Sequence, residues 1–178
     1  MREKGWYIFG GINMEENVIS NDMWILRMGR KPLEWIKPIV RGKQPLPRYA
    51  HTLNYYEEGN FLVLHGGRND ITSESFALND TYIFDLSKLE WQEITLYSEF
   101  DNFEIYNRCG HSAVVFGKNY IFYFNFSGKK LIIFGGMNNQ RYLGSALFII
   151  DLDVNYKFQK EMEHEENKSV SKHSKMNK

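Results

Sequence analysis

The sequence predicts an all-β fold assembled from one repeated unit of four short antiparallel strands. Three observations carry that expectation. An apolar run ending in two glycines occurs three times, as "WYIFGG" (6–11), "FLVLHGG" (61–67) and "LIIFGG" (131–136). Aromatic residues make up 16% of the chain and fall in short clusters between Gly-, Asn- and Asp-rich turns, the spacing of many strands and little helix. The segments flanking each glycine pair also match one another in order, which marks an internal repeat.

The first unit (6–38) opens with "WYIFGG". A polar loop at 12–20 follows, then "NDMWIL" (21–26) and "LEWIKP" (33–38). The second unit (47–94) is complete. It runs "PRYAHTL" (47–53), "FLVLHGG", a loop at 68–78, "NDTYIFDL" (79–86) and "LEWQEI" (89–94). The third (107–158) runs "NRCGHSAVV" (107–115), "LIIFGG", a loop at 137–144, "SALFIIDL" (145–152) and "NYKF" (155–158), without the Asn-Asp pair or the tryptophan.

Four antiparallel strands per unit is the blade of a β-propeller. The run at 61–64 is apolar at consecutive positions because neighbouring blades should cover both its faces. Gly10, Gly11, Gly66, Gly67, Gly135 and Gly136 then sit at the crowded inner end. There a side chain clashes, or the backbone needs dihedrals closed to other residues. Trp24 belongs to the third strand of its unit. Trp35 and Trp91 lie on outer strands and fill the wedge between diverging blades. Asp22 and Asp80 are expected to accept hydrogen bonds from turn amides at the start of the third strand.

These motifs resemble the kelch repeat: a double glycine, Asn-Asp with an aromatic, a tryptophan, and Arg-x-x-His opening the next unit. The resemblance spans roughly residues 6–158. It implies a propeller, and propellers have about 4–8 blades. Three units in an open arc, the first and last incomplete, therefore predict a fragment of a larger propeller, or an arc that closes with a partner. Kelch domains commonly bind peptides on the face shared by the loop before the first strand and the loop after the glycines. Arg48 and Arg108 in the Arg-x-x-His motifs, and Arg68 at the head of the middle loop, are thereby expected to meet acidic groups of a protein or peptide partner. The implied function is a non-catalytic scaffold or substrate adaptor, with ubiquitin-ligase or cytoskeletal association and no cofactor. The alternatives are a piece of a kelch-type enzyme whose active site needs further blades, or a truncated gene product without independent activity.

Two segments depart from the pattern. Fifteen positions separate His51 from Gly66, but 24 separate His111 from Gly135. The surplus falls at 118–128, "KNYIFYFNFSG", and its removal leaves a regular unit. Either it is a real hairpin insertion, or it is translated from a short A/T-rich intron, since every residue of 118–126 can be encoded by A and T alone. Residues 159–178 are polar and charged, and are expected to form a disordered tail.

Composition narrows the chemistry. Basic and acidic residues balance at 22 each, so no net field favours nucleic acid or a membrane surface. The single cysteine, Cys109, suits a reducing, cytoplasmic setting. After Gly67 the chain matches neither phosphate-loop pattern. His51 and His111 occupy the same position in successive units and so recur for structural reasons. His65, where the other copies have Phe9 and Phe134, is expected to be half-buried. No His or Cys cluster has zinc spacing, and the Cys109–His111 pair lacks an orienting third group for nucleophilic catalysis.

Overall fold

A computed structural model of the chain describes residues 5–29, 32–70, 76–94, 107–116 and 129–152. The surplus segment at 118–128, the expected strand at 155–158 and the tail at 159–178 lie outside the described residues. The named strands are β1 (Gly5–Asn13), β2 (Val18–Arg27), β3 (Glu34–Ile36), β4 (Arg41–Gly42), β5 (Thr52–Tyr56), β6 (Phe61–His65), β7 (Thr81–Asp85), β8 (Glu90–Ile94), β9 (Ser112–Phe116), β10 (Lys130–Phe134) and β11 (Leu147–Asp151).

They form three sheets, ordered β1-β2-β3, β4-β8-β7-β6-β5 and β11-β10-β9. Within each unit the strands pair antiparallel in chain order, which makes each a meander. The middle sheet holds all four strands of its unit, and β4 joins its outer edge in parallel with β8. The chain is thus all-β, with consecutive propeller blades in an arc that does not close among the described residues.

Burial along the equivalent strands explains the apolar patterns. All five residues of β6 are buried, whereas β1 and β10 show alternation. A strand covered on both faces needs apolar residues at every position; one covered on a single face buries alternate residues. Two core clusters occupy the two seams. Phe9 and Met23 of the first sheet join Leu62, Leu64, Tyr82, Phe84 and Trp91 of the middle one. On the other side, Phe61, Val63, Ile83 and Ile94 meet Leu131, Ile133 and Ile150 of the third sheet. Trp91 does fill its wedge, with ring centroids 4.9 Å from Phe9 and 4.7 Å from Phe84. Trp35 does not: it is 52% exposed, because the face of the first sheet that carries it is uncovered.

The first unit differs from expectation in its loop. Residues 12–20 do not form one; β1 and β2 continue past the glycines and turn only at 14–17. The Asn13 side chain accepts hydrogen bonds from the amides of Glu15 and Glu16, and Asn17 takes the left-handed conformation, so a tight turn is built locally.

Candidate binding face and the seams beneath it

The glycine pairs and the Arg-x-x-His segments meet at one end of the sheets, where each seam is stitched by the backbone. The Gly11 amide donates to the Arg48 carbonyl at 2.8 Å, and the Gly67 amide donates to the Arg108 carbonyl at 2.8 Å. The second glycine of one unit thus holds the arginine backbone of the next. A side chain on Gly66 would lie 2.5 Å from the Arg108 carbonyl oxygen, and one on Gly10 would strike that of Arg48. Both glycines also have positive φ. Close approach and dihedral together leave glycine as the residue that fits.

The arginine side chains turn inward. Arg48 is fully buried, and its guanidinium makes a two-pronged ion pair with Asp80 at 2.5 and 2.7 Å. It also donates to the carbonyls of Leu46 and Gly66, both at 3.0 Å, and lies 5.7 Å from the Tyr82 ring. Arg108, also fully buried, donates to the Gly135 carbonyl at 3.3 Å and stacks 4.1 Å from the Phe148 ring. Ala146 occupies the third unit's counterpart of the Asp80 position, so the two arginines share a place but not the same partners. Neither reaches the surface, which corrects the expectation that Arg48 and Arg108 contact a partner: a guanidinium spent on closing its own turn is shielded from one.

The aspartates are corrected as well. The Asp80 carboxylate serves Arg48 rather than turn amides. Asp22, in the unit with no preceding Arg-x-x-His, pairs with exposed Lys37 at 2.7 Å, and its own amide donates to the Ser20 hydroxyl. Trp24, beside it, is 38% exposed.

The histidines lie in the seams. His51 packs edge-on against Phe9 at 5.8 Å, linking the first two sheets. Nε2 of His111 lies 3.0 Å from the Thr52 hydroxyl, and its ring sits edge-on to His65 at 5.4 Å, linking the second and third. Burial, with a smaller push from Arg48, lowers the pKa of His51 to about 4. Burial, then Arg108 and His51, lowers that of His111 to about 4. Both are neutral packing groups near pH 7. His65 is fully buried rather than half-buried, covered by His111, with Nδ1 2.8 Å from the Thr81 hydroxyl. Burial raises the Cys109 thiol pKa, away from nucleophilic reactivity. Among the described residues no three His, Cys, Asp or Glu gather to hold a metal ion.

Arg68 is different. A single-residue bridge ties it to Tyr49 on one side and to Ala77 on the other, at the surface of the middle sheet. Its guanidinium lies 4.6 Å from the Phe76 ring and 5.9 Å from that of Tyr49, and its Nε donates to Asp70 at 2.7 Å. The Tyr49 hydroxyl donates to the same carboxylate at 2.8 Å. Arg68, with support from Tyr49, lowers the Asp70 pKa. The Arg68 side chain is about one-third exposed, in contrast to Arg48 and Arg108.

Beside this cluster, Asn107, Asn138, Asn139 and Gln140 line a small recess. Asn139 accepts from the Ala77 amide at 2.9 Å, joining the third loop to the middle one. Tyr142 stands 82% exposed nearby on the same loop. Cation, aromatic rings and amides therefore share one face. Sequence reading found Arg68 but missed Tyr49, Asp70, Phe76 and the amide recess. Tyr49 directly follows a motif arginine, and the Asn-Asn-Gln run begins one residue after a glycine pair, so their positions were the available signal.

No family model matches the chain. It is 40% identical over 84 residues to dynein regulatory complex subunit 7 of Chlamydomonas reinhardtii, covering 47% of this chain and 7% of that protein. It is 31% identical over 151 residues to Adagio protein 3 of Arabidopsis thaliana, covering 82% of this chain and 21% of the relative. With human host cell factor 2 it shares 29% identity over 134 residues, 70% of this chain and 16% of that one. The chain thus spans a small part of each relative's length. A solved structure, that of YjhT, matches with TM-score 0.45 and 18% identity, over 66% of this chain and 28% of that one. Among the described residues no helix is long and apolar enough to cross a membrane.

Proposed function

The chain belongs to the kelch-repeat family, and from that premise we propose that it is a non-catalytic protein-interaction module of scaffold or adaptor type. Its binding face is the loop end of the middle and third sheets, and its ligand is an extended peptide segment bearing a carboxylate. The observation that carries this reading is the partly exposed Arg68 guanidinium, held beside the Tyr49 and Phe76 rings near an amide-lined recess. An arginine held against aromatic rings loses little freedom on engaging a carboxylate. Amide side chains offer donors and acceptors matched to a peptide backbone. The loops differ from unit to unit on a rigid scaffold, where specificity commonly resides.

The seam histidines and Cys109 favour binding over catalysis, because burial keeps the histidines neutral and the thiol protonated near pH 7. A lone thiol in that state fits the cytoplasm. Ubiquitin-ligase or cytoskeletal association would follow from the partner bound.

A peptide array of acidic, neutral and basic sequences, followed by fluorescence polarisation, tests the proposal. Acidic peptides should bind, and Arg68→Glu should weaken them by about tenfold or more, the scale of one charge-assisted contact. Binding that is indifferent to Arg68→Glu, or the absence of any acidic preference, overturns it.

A further inference from the structure

The partly exposed arginine of the binding face comes with its own anion. Asp70 lies two residues beyond Arg68, and its Oδ1 accepts from Arg68 Nε at 2.7 Å. Its Oδ2 accepts from the Tyr49 hydroxyl at 2.8 Å, so the carboxylate is anchored twice. The arginine is anchored too, with the Phe76 ring 4.6 Å from the guanidinium. Both members of the pair stay open to solvent, at 34% for Arg68 and 39% for Asp70. Arg68, then Tyr49, holds the Asp70 carboxyl below its ordinary range, so it is ionised near pH 7. The Arg48–Asp80 pair has the same chemistry, but its arginine is fully buried.

A ligand therefore meets a cation and an anion side by side, and the pair sums to zero charge. That arrangement restricts what can dock. A lone carboxylate engaging Arg68 comes to rest beside Asp70, and like charges so juxtaposed oppose binding. Each Asp70 oxygen has a second lone pair beyond the bond it already accepts, so the carboxylate can take a further donor. A ligand that carries a cation next to its carboxylate satisfies both ends at once. In an extended peptide, neighbouring side chains point to opposite faces, while those two apart share one face at roughly 6.6 Å.

We propose that Asp70 is a specificity-determining residue of this face. It selects an extended peptide in which an acidic residue set against Arg68 lies two positions from a basic residue set against Asp70. Segments dense in acidic residues are turned away by the same carboxylate. The inference rests on the peptide-binding reading above and names the charge pattern that its ligand carries.

Fluorescence polarisation of the full 178-residue chain tests it, with labelled peptides that differ in one triplet inside a neutral frame. The triplets are Glu-Ala-Lys, Lys-Ala-Glu, Glu-Lys-Ala, Glu-Ala-Ala and Glu-Ala-Glu. One of the two spaced acid–base orders should bind about fivefold tighter than Glu-Ala-Ala, the upper scale of an exposed charge pair. Adjacent placement in Glu-Lys-Ala should forfeit the gain, and Glu-Ala-Glu should bind more weakly than Glu-Ala-Ala. Asp70→Asn keeps an acceptor for Arg68 and Tyr49 but removes the charge. It should erase the advantage of the spaced pair and raise the affinity for Glu-Ala-Glu. A merely structural Asp70 would instead weaken every peptide alike and leave the ratios unchanged. Circular dichroism verifies folding, and Asp70→Ser replaces the first variant if that one unfolds. No advantage for the spaced pair, indifference to spacing, or an advantage that survives Asp70→Asn overturns the proposal. If Arg68→Glu still weakens Glu-Ala-Ala in that event, the carboxylate-binding face stands without it. If Arg68→Glu changes no peptide, both readings fall.

Discussion

Removing the carboxylate of Asp80 strands a fully buried charge. Arg48 is fully enclosed, and Asp80 is only 18% exposed. After Asp80→Ala the guanidinium keeps its contacts to the Leu46 and Gly66 carbonyls but loses its counter-charge and two of its hydrogen bonds. Breaking one side of a buried pair costs about 3–5 kcal/mol. The residual carbonyl bonds and partial exposure of Asp80 place the expected loss near the lower end, about 3 kcal/mol. Removing both charges with Arg48→Met and Asp80→Leu should cost less than the single change, because no uncompensated charge remains. Urea unfolding followed by tryptophan fluorescence reads both, since Trp91 lies in the adjacent core. A single variant within about 1 kcal/mol of the natural chain, or a double variant worse than the single, refutes the account of Arg48 as a structural charge.

Acid should loosen the seams. His51 and His111 have folded pKa values of about 4 against about 6.5 unfolded. The unfolded chain therefore binds more protons between those values, and their stabilisation is full above pH 6.5 and lost as pH falls towards 4. Between pH 7.5 and 5 the loss should be about 2 kcal/mol for each histidine, measured as a falling urea midpoint, and His51→Phe with His111→Gln should flatten that slope. An unchanged slope contradicts the seam assignment. Gly66→Ala and Gly135→Ala both place a side chain at positive φ, at about 1–2 kcal/mol. Only Gly66 also meets the Arg108 carbonyl at 2.5 Å, so its variant should melt at the lower temperature; equal melting would argue against the glycine–arginine stitch.

Much of the fold was legible because the repeat supplies its own alignment. Consecutive apolar residues at 61–64 indicated a strand covered on both faces, and β6 is buried throughout. The hairpin of β1 and β2 was not legible. Its extension depends on Asn13 and Asn17 building a local turn, which the glycine pair masked. The short parallel strand β4 was missed because two residues carry no pattern. For the binding face, a motif arginine looks the same in sequence whether it points outward or inward. What decides are partners distant in sequence: Asp80 and the Gly66 carbonyl hold Arg48 in the interior, and the Gly135 carbonyl and the Phe148 ring hold Arg108 there, while Arg68 stays at the surface. The tryptophans teach a similar lesson: Trp35 and Trp91 are equivalent in the repeat, yet one is 52% and the other 2% exposed. Burial here is a property of the neighbouring sheet.

That contrast gives the most direct test of the stacked-sheet arc. Hydroxyl-radical footprinting of the chain measures each tryptophan separately by mass spectrometry. Trp6, Trp24 and Trp35 should be modified readily, and Trp91, clasped between Phe9 and Phe84, should be protected until the chain unfolds. Trp91 reacting as fast as Trp6 in the folded chain would contradict the stacking of the first two sheets.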